Sequence, residues 1–167
     1  MKKVDYHKYL EKTYNSFDNG GAFLTVKDED ELNTMTIGWG TVGIIWRVPM
    51  MLVLVRKSRH TFQLINNTDE FTVSIPFGNK MKDELLFCGT KSGKNYDKFK
   101  ECELEIITEN TLDTPLIGGC DLHYECTIEY SQPMDSERVN SKVLKDCYPE
   151  NDLHTMYFGK IKNCFKE

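Results

Sequence analysis

The stretch that most restricts the fold is LHYECTIEY, residues 122–130, in which apolar and polar side chains alternate. Because successive side chains of a β-strand point to opposite faces, this period of two predicts a strand with one apolar face. FTVSI, residues 71–75, alternates in the same way. By contrast MMLVLV, residues 50–55, is apolar on both faces, which predicts a strand that is covered on both sides, as in a closed sheet.

Further strand patterns recur at short spacing, in residues 22–26, 33–40 and 155–161. Helical patterns are fewer and shorter, in residues 5–14, 61–66 and 80–88. This arrangement predicts a mainly β fold with α+β elements, a small barrel with short peripheral helices, rather than alternating βαβ units. Residues 131–153 are charged and contain two prolines, so we expect them to form an excursion between two barrel strands. With no repeat and no linker, residues 1–167 are expected to form a single domain.

The charge balance and the hydrophobic pattern disfavour several classes of protein. The chain has 26 acidic and 21 basic residues, which argues against nucleic acid as a partner. No apolar run approaches the roughly 18 residues of a membrane-spanning helix, so we expect no membrane insertion. The N-terminal MKKVDYHKYLEKTYN lacks the apolar core of a signal peptide, and the six cysteines lack metal-site or disulfide-framework spacing. We therefore expect a cytoplasmic protein with reduced thiols and no metal site.

A cationic segment, LVRKSRHT, follows the apolar strand pattern at residues 54–61. Arg56, Ser58, Arg59 and Thr61 combine guanidinium groups and hydroxyls at the start of a predicted short helix, a set of donors that suits a phosphate. The alternative is a solvated strand end in which Ser58 is the N-cap of the helix. The segment alone does not decide between the two interpretations.

A glycine-rich segment, NTMTIGWGTVG, interrupts another strand pattern at residues 33–43. Glycine inside a strand often marks a bulge or a close approach of a ligand to the backbone. Trp39, between Gly38 and Gly40, could then lie against a flat ring or a second subunit. The alternative is a bend of the barrel that places Trp39 in the core.

The loop GTKSGK, residues 89–94, resembles a phosphate-binding loop but has three residues between its glycines where the Walker pattern needs four. A nucleoside triphosphatase is therefore excluded. Ser92, Gly93 and the nearby Lys98 still allow a secondary anion contact, and a solvated loop is the alternative. His154, at the start of the last strand pattern, carries no signal of its own.

Taken together and in order, four motifs resemble the flavin reductase-like family, the FMN-binding split β-barrel, and within it the flavoredoxin branch. The motifs are Asn33-x-Met-Thr-Ile-Gly-Trp-Gly-Thr41, Trp46-x-x-Pro49, Val53-x-Val55-Arg56-x-Ser58-Arg59-x-Thr61 and Ser92-Gly93-x-x-x-Asp97-Lys98-Phe99. The resemblance extends from about residue 21 to residue 159. It implies a Greek-key-like split barrel and makes the phosphate interpretation of the cationic segment the favoured one.

The resemblance also implies roles for individual residues. FMN would lie with its ring and ribityl chain beside Asn33 and the backbone of Met35, Thr36, Ile37 and Gly38. Trp39 would sit beside the flavin near a dimer interface. The phosphate would be held by Arg56, Ser58, Arg59 and Thr61. Lys98 would contact the flavin or its phosphate, Ser92 and Gly93 would line the same loop, and His154 would lie near the cofactor.

Two functions are compatible with this resemblance. One is an NAD(P)H-dependent flavin reductase or oxidoreductase that takes hydride from NADH or NADPH. The other is a non-catalytic electron carrier in which bound FMN passes electrons between redox protein partners. A homodimer with FMN near its interface is expected from the family and agrees with the apolar segment VGIIW, residues 42–46.

Overall fold

The computed structural model describes residues 1–29 and 31–167. Its strands are β1 (Lys2–Lys3), β2 (Ala22–Asp28), β3 (Glu31–Ile37), β4 (Gly40–Ile45), β5 (Val48–Arg56), β6 (Glu70–Ile75), β7 (Ile106–Ile107), β8 (Leu116–Ile117), β9 (Leu122–Pro133) and β10 (His154–Lys166). Its α-helices are α1 (Leu10–Asn19), α2 (His60–Ile65), α3 (Lys82–Thr90), α4 (Lys98–Glu101) and α5 (Ser141–Cys147). Short 3-10 turns occur at Tyr6–Tyr9 and Ser136–Arg138.

One antiparallel sheet has the strand order β3-β2-β6-β9-β10-β5-β4, with β1 added to β10, and β7 pairs separately with β8. The two ends of this order, β3 and β4, are consecutive in the chain and are joined only by Gly38 and Trp39. Consecutive Cα atoms lie about 3.8 Å apart, so such a short link requires the opposite edges of the sheet to approach each other. The sheet therefore curls into a barrel that is split beside β3, which confirms the predicted fold class.

The interior of the barrel is filled by the apolar faces that the alternation predicts. The largest fully buried side chains include Phe71, Tyr124 and Tyr157 from neighbouring strands. The opposite face of β6 and β9 is also buried, because residues 111–117 cover it. Polar side chains on that face bond to the covering segment: Thr72 Oγ1 donates to the Pro115 carbonyl at 2.7 Å, and the Glu125 carboxylate accepts from Thr111.

The predicted helices occur with shifted ends. The N-terminal pattern at residues 5–14 becomes the 3-10 turn followed by α1, and the patterns at 61–66 and 80–88 become α2 and α3. The excursion lies between β9 and β10 as predicted, although β9 extends to Pro133 and the excursion contains α5. In the described part of the chain, no helix combines the length and the apolar character that crossing a membrane requires.

The expectation that Ser58 is the N-cap of α2 is wrong. The cap position is Arg59, which makes no capping bond through its side chain. The Ser58 hydroxyl instead donates to the Asp152 carboxylate, which brings the excursion against the cationic segment.

Candidate functional site

A cavity of about 160 Å³ lies at the junction where β3 leads into β4. Leu54 and eight of the predicted site residues line it. The eight come from the glycine-rich segment, the cationic segment and the start of the last strand: Met35, Thr36, Ile37, Gly38, Trp39, Arg56, Arg59 and His154. These eight residues come from three separate parts of the sequence, around positions 35–39, 56–59 and 154, and the closure of the barrel places them around one space. The remaining predicted residues lie outside this lining: Asn33, Ser58, Thr61, Ser92, Gly93 and Lys98.

The edge of β3 forms one wall of the cavity. In the described sheet β3 pairs only with β2, so the backbone amides and carbonyls along its other edge are not used by a strand. Gly40, at the start of β4, has no room for a side chain, because an added Cβ would lie 2.8 Å from the Leu52 carbonyl oxygen. Gly40 therefore lets the start of β4 pass close to the backbone of β5.

Trp39 is 44% exposed, so the interpretation that places it in the core is wrong. Its ring centroid lies 5.0 Å from that of His154, and the Arg56 guanidinium lies 5.8 Å from the Trp39 ring. The indole is thus a flat, partly exposed surface at the rim of the cavity, next to a cation.

Arg56, at the end of β5, is bound to the excursion. Its two terminal nitrogens donate to the Asp152 carbonyl at 2.7 Å and to the Cys147 carbonyl at 3.1 Å. The guanidinium also lies 5.0 Å from the centroid of the Tyr148 ring. Two of its donors are therefore engaged with backbone carbonyls, although the group still lines the cavity.

Ser58 faces a carboxylate of the same chain. Its hydroxyl donates to Asp152 Oδ2 at 2.6 Å, and its backbone N–H donates to Asp152 Oδ1 at 3.3 Å. The Ser58 hydroxyl, which the sequence assigns to a phosphate, thus already holds a carboxylate in this structure.

Arg59 is used differently from Arg56. Within residues 1–29 and 31–167, only its Nη1 donates to a protein carbonyl, that of Gly89, at 2.9 Å, and the side chain lines the cavity. Among the described residues it is therefore the cation with the greater remaining capacity to bind an anion at this site.

Behind the lining, the buried side chains of Thr61 and Asn33 form a cluster with the partly buried Gly93. Asn33 Nδ2 donates to Thr61 Oγ1 at 2.7 Å. A Cβ at Gly93 would lie 2.2 Å from Asn33 Oδ1, so only glycine fits there. These three predicted contact residues support the site from behind, where they fix the start of α2 against β3.

Lys98 is almost fully buried, and its Nζ donates to the Thr34 and Cys88 carbonyls at 2.8 and 2.9 Å. Burial, with the nearby Arg59 charge acting in the same direction, lowers the pKa of Lys98 to about 8. The lysine thus ties β3 to α3 below the cavity. Ser92, on the exposed loop before α4, accepts a bond from the Lys94 N–H at 3.3 Å and stays away from the lining.

His154, the first residue of β10, is buried, and its Nδ1 lies 2.9 Å from the Tyr148 hydroxyl. Burial lowers the pKa of His154 to about 4, and the Arg56 charge acts in the same direction. The imidazole is therefore neutral at pH 7. Tyr148 and Asp152 were missed by sequence reasoning, because nothing in the charged excursion distinguishes them before its fold is known.

Of the described residues, no three His, Cys, Asp or Glu side chains lie together as metal ligands would. The chemistry available at the cavity is thus that of a free strand edge, a flat indole, two guanidinium groups and a neutral imidazole. This set suits an elongated ligand with a polar flat part and an anionic end.

The sequence matches the family described as "Flavin reductase like domain" over residues 14–166. An uncharacterized protein of Archaeoglobus fulgidus is 28% identical over 140 residues, which cover 84% of this chain and 68% of that protein. An uncharacterized protein of Pyrococcus abyssi is 26% identical over 132 residues, covering 79% of this chain and 64% of that protein. The chain thus spans about two thirds of the length of these curated relatives.

Solved structures share the fold. The flavoredoxin of Desulfovibrio vulgaris (Miyazaki F) superposes with a TM-score of 0.69 at 21% identity, covering 89% of this chain and 69% of that one. The NADH:FAD oxidoreductase of Streptomyces globisporus C-1027 superposes with a TM-score of 0.67 at 19% identity, covering 100% of this chain and 88% of that one.

Proposed function

The chain belongs to the flavin reductase-like domain family, and from that premise we propose that it binds FMN and acts as an NAD(P)H-dependent flavin reductase. The observation that carries the proposal is the cavity at the β3–β4 junction, where a free strand edge, an exposed indole and two guanidinium groups meet. FMN has the matching parts, a flat heteroaromatic ring and a phosphate. When bound, FMN would supply the hydride-accepting chemistry, and the protein would supply placement and electrostatics.

The donor set supports a fit to both ends of FMN. The unpaired backbone edge of Met35–Gly38 offers amides and carbonyls for the polar edge of a flavin ring. Arg59 offers a guanidinium for the phosphate, and the neutral His154 adds an imidazole without adding charge. We propose that these residues hold the cofactor and that Asn33, Thr61 and Lys98 keep its walls in position.

The size of the cavity supports a second subunit. Pockets that enclose a cofactor-sized ligand usually measure about 300 Å³ or more, whereas this cavity measures about 160 Å³. A single chain would thus cover only part of FMN. We propose a homodimer with FMN near its interface, and the exposed side chains of Ile44, Trp46 and Tyr130 support it, because such apolar patches often mark interfaces.

Electron transfer without catalysis is the second candidate, favoured by the likeness to a flavoredoxin and by the exposure of Trp39. A flavin beside an exposed indole would be reachable by a redox protein partner. For either function we propose a cytoplasmic location, which is supported by the free state of all six cysteines.

Absorbance measurements on the purified protein test the proposal. We expect the spectrum of oxidised flavin after reconstitution with FMN, and rapid bleaching of that absorbance in a stopped-flow mix with NADH or NADPH. Bleaching only by a reduced redox protein would favour the carrier. Failure to retain any flavin, with the fold intact by circular dichroism, would reject both functions.

A further inference from the structure

We propose that Asp152 is a specificity-determining residue: its carboxylate occupies the Ser58 donors that a cofactor phosphate would use, and thereby weakens the preference of the site for FMN over riboflavin. The inference rests on the proposed flavin-binding function and deepens it. Riboflavin shares the ring and ribityl chain of FMN and lacks the phosphate, so a comparison of the two isolates the phosphate end.

The geometry shows a complete pairing of Ser58 with Asp152. The hydroxyl has one proton to donate, and it goes to Asp152 Oδ2 at 2.6 Å, while the backbone N–H goes to Oδ1 at 3.3 Å. A phosphate oxygen and this carboxylate cannot both accept the hydroxyl proton. Binding of a phosphate to Ser58 would therefore require the Asp152 carboxylate to leave.

The position of the carboxylate is fixed by its own backbone. The Asp152 carbonyl accepts from Arg56 at 2.7 Å, and Arg56 also holds the Cys147 carbonyl at 3.1 Å. Residues 147–152 are thus fastened at the mouth of the site on both sides of Tyr148. A negative charge that is held in this way would lie close to the phosphate whether or not it keeps its bonds to Ser58.

The charge of Asp152 also acts on His154, a residue that lines the cavity. Burial lowers the pKa of His154, and the Asp152 carboxylate opposes this lowering. Since two like charges repel over the distances within one site, a dianionic phosphate would be disfavoured here relative to a site without this carboxylate. Such a site would keep FMN exchangeable, which suits a reductase whose flavin dissociates as a product.

The test compares FMN with riboflavin in titrations of flavin-free protein, followed by quenching of flavin fluorescence. Asp152→Asn keeps the shape of the side chain and removes its charge. We expect it to tighten FMN binding by about fivefold or more and to change riboflavin binding by less than about twofold. Asp146→Asn is the matched control, because it removes the same charge from an exposed position of the same excursion. We expect it to change neither affinity.

Asp152→Ser, a second variant, repeats the removal of charge with a smaller side chain. An unchanged FMN-to-riboflavin ratio in both Asp152 variants, or a weaker FMN affinity in both, would overturn the inference and leave flavin binding intact. Loss of folding in both Asp152 variants would assign Asp152 a structural role and would also overturn the inference. If the wild-type protein bound neither flavin, the proposed function itself would fail, and the inference with it.

Discussion

Arg56 and Arg59 look equivalent in the sequence, but the structure gives them different tasks. Arg56 uses both terminal nitrogens on carbonyls of the excursion, whereas Arg59 uses one nitrogen on the Gly89 carbonyl. Guanidinium groups bind phosphate best when two parallel N–H donors are available. Arg59 is therefore the residue to which we assign the larger share of phosphate affinity.

Replacing Arg59 by alanine is expected to weaken FMN binding by roughly tenfold to a hundredfold, the equivalent of about 1.5–3 kcal/mol for a hydrogen bond to a charged group. Equilibrium dialysis of FMN against the flavin-free protein measures the change. Lys57→Ala is the control, because Lys57 is an exposed cation in the adjacent position. Equal effects of the two substitutions would mean that Arg59 acts only through the general charge of the segment.

At the scale of elements, the excursion between β9 and β10 is held to the barrel through the end of β5. The bonds from Arg56 connect residues that are 91 and 96 positions apart in the chain. The excursion has few buried side chains of its own, since no residue of α5 is buried, so hydrogen bonds of this kind fasten it to the barrel. Local stability of the excursion should therefore depend strongly on Arg56.

Arg56→Lys tests this dependence, since an ammonium group cannot reproduce the fork that reaches both carbonyls. We expect amide hydrogen exchange in residues 147–153 to become roughly tenfold faster, in line with the loss of one charged hydrogen bond. Mass spectrometry of peptides from this region gives the rate. Arg138→Lys serves as the control, because Arg138 is highly exposed and forms a surface ion pair with Asp135, at 3.3 Å. An unchanged rate in Arg56→Lys would show that other contacts hold the excursion.

The sequence predicts an element well when the pattern that indicates it lies among neighbouring residues. Alternation identified β6 and β9 because a period of two is a property of neighbouring residues. The pattern at residues 33–40 predicts one strand, but the chain leaves the sheet at Gly38 and re-enters at its opposite edge with β4. That change follows from the closure of the barrel, which no local pattern encodes.

The candidate site shows the same limit. The cationic segment and the Gly-Trp-Gly motif identified residues that do line one cavity. The partner of Ser58 could not be predicted, because Asp152 lies 94 residues away in a segment without periodicity. Lys98 illustrates the converse, since its place in a loop suggested solvent or ligand contact, and the fold buries its amine against two carbonyls.

For the molecule as a whole, two buried histidines determine how stability responds to mild acid. Burial lowers the pKa of both His123 and His154 to about 4, from 6.5. Between these values the unfolded chain binds protons that the folded chain does not, so the free energy of unfolding must fall as the pH falls from 6.5 towards 4. Asp5, Asp121 and Glu125, whose carboxyl pKa values are lowered in the folded chain, add to this loss of stability near and below the lower end of the window, as the pH falls past their unfolded values of 3.8, 3.8 and 4.5.

We expect each histidine to contribute a loss of roughly 2–3 kcal/mol between pH 7 and pH 4.5, measured by urea unfolding. His123→Asn, which can keep a bond to Ser74, should remove about half of this pH dependence. His7→Asn is the control, because His7 is exposed and bonds to Asp5 on the surface. If the free energy of unfolding of His123→Asn depends on pH as steeply as that of the wild type, His123 takes up its proton without unfolding.

The hairpin between β4 and β5 carries two exposed apolar side chains, Ile44 and Trp46, which we expect to face the proposed second subunit. Trp46 and Arg47 form its two-residue turn with φ of 52° and 62°, a conformation for which glycine and asparagine are the favoured residues. Keeping a tryptophan there costs backbone strain of order 1 kcal/mol. Trp46 is 63% exposed and packs edge-on against Tyr130 at 6.3 Å. A contact across the proposed dimer would offset the strain and the exposure together.

Ile44→Asp places a charge in the middle of this surface and is expected to convert the proposed dimer to a monomer, as measured by analytical ultracentrifugation. FMN affinity should fall by about tenfold or more at the same time, because the cavity of one chain, about 160 Å³, is too small to enclose the cofactor. Leu86→Asp is the matched control, since Leu86 on α3 is 66% exposed and Ile44 is 65% exposed. A monomeric wild-type protein, or a dimeric Ile44→Asp variant, would contradict this surface as the interface. Unchanged FMN affinity in a monomeric variant would show that one chain binds the cofactor without a partner subunit. Leu86→Asp separates the loss of the partner from a general effect of added charge on FMN affinity.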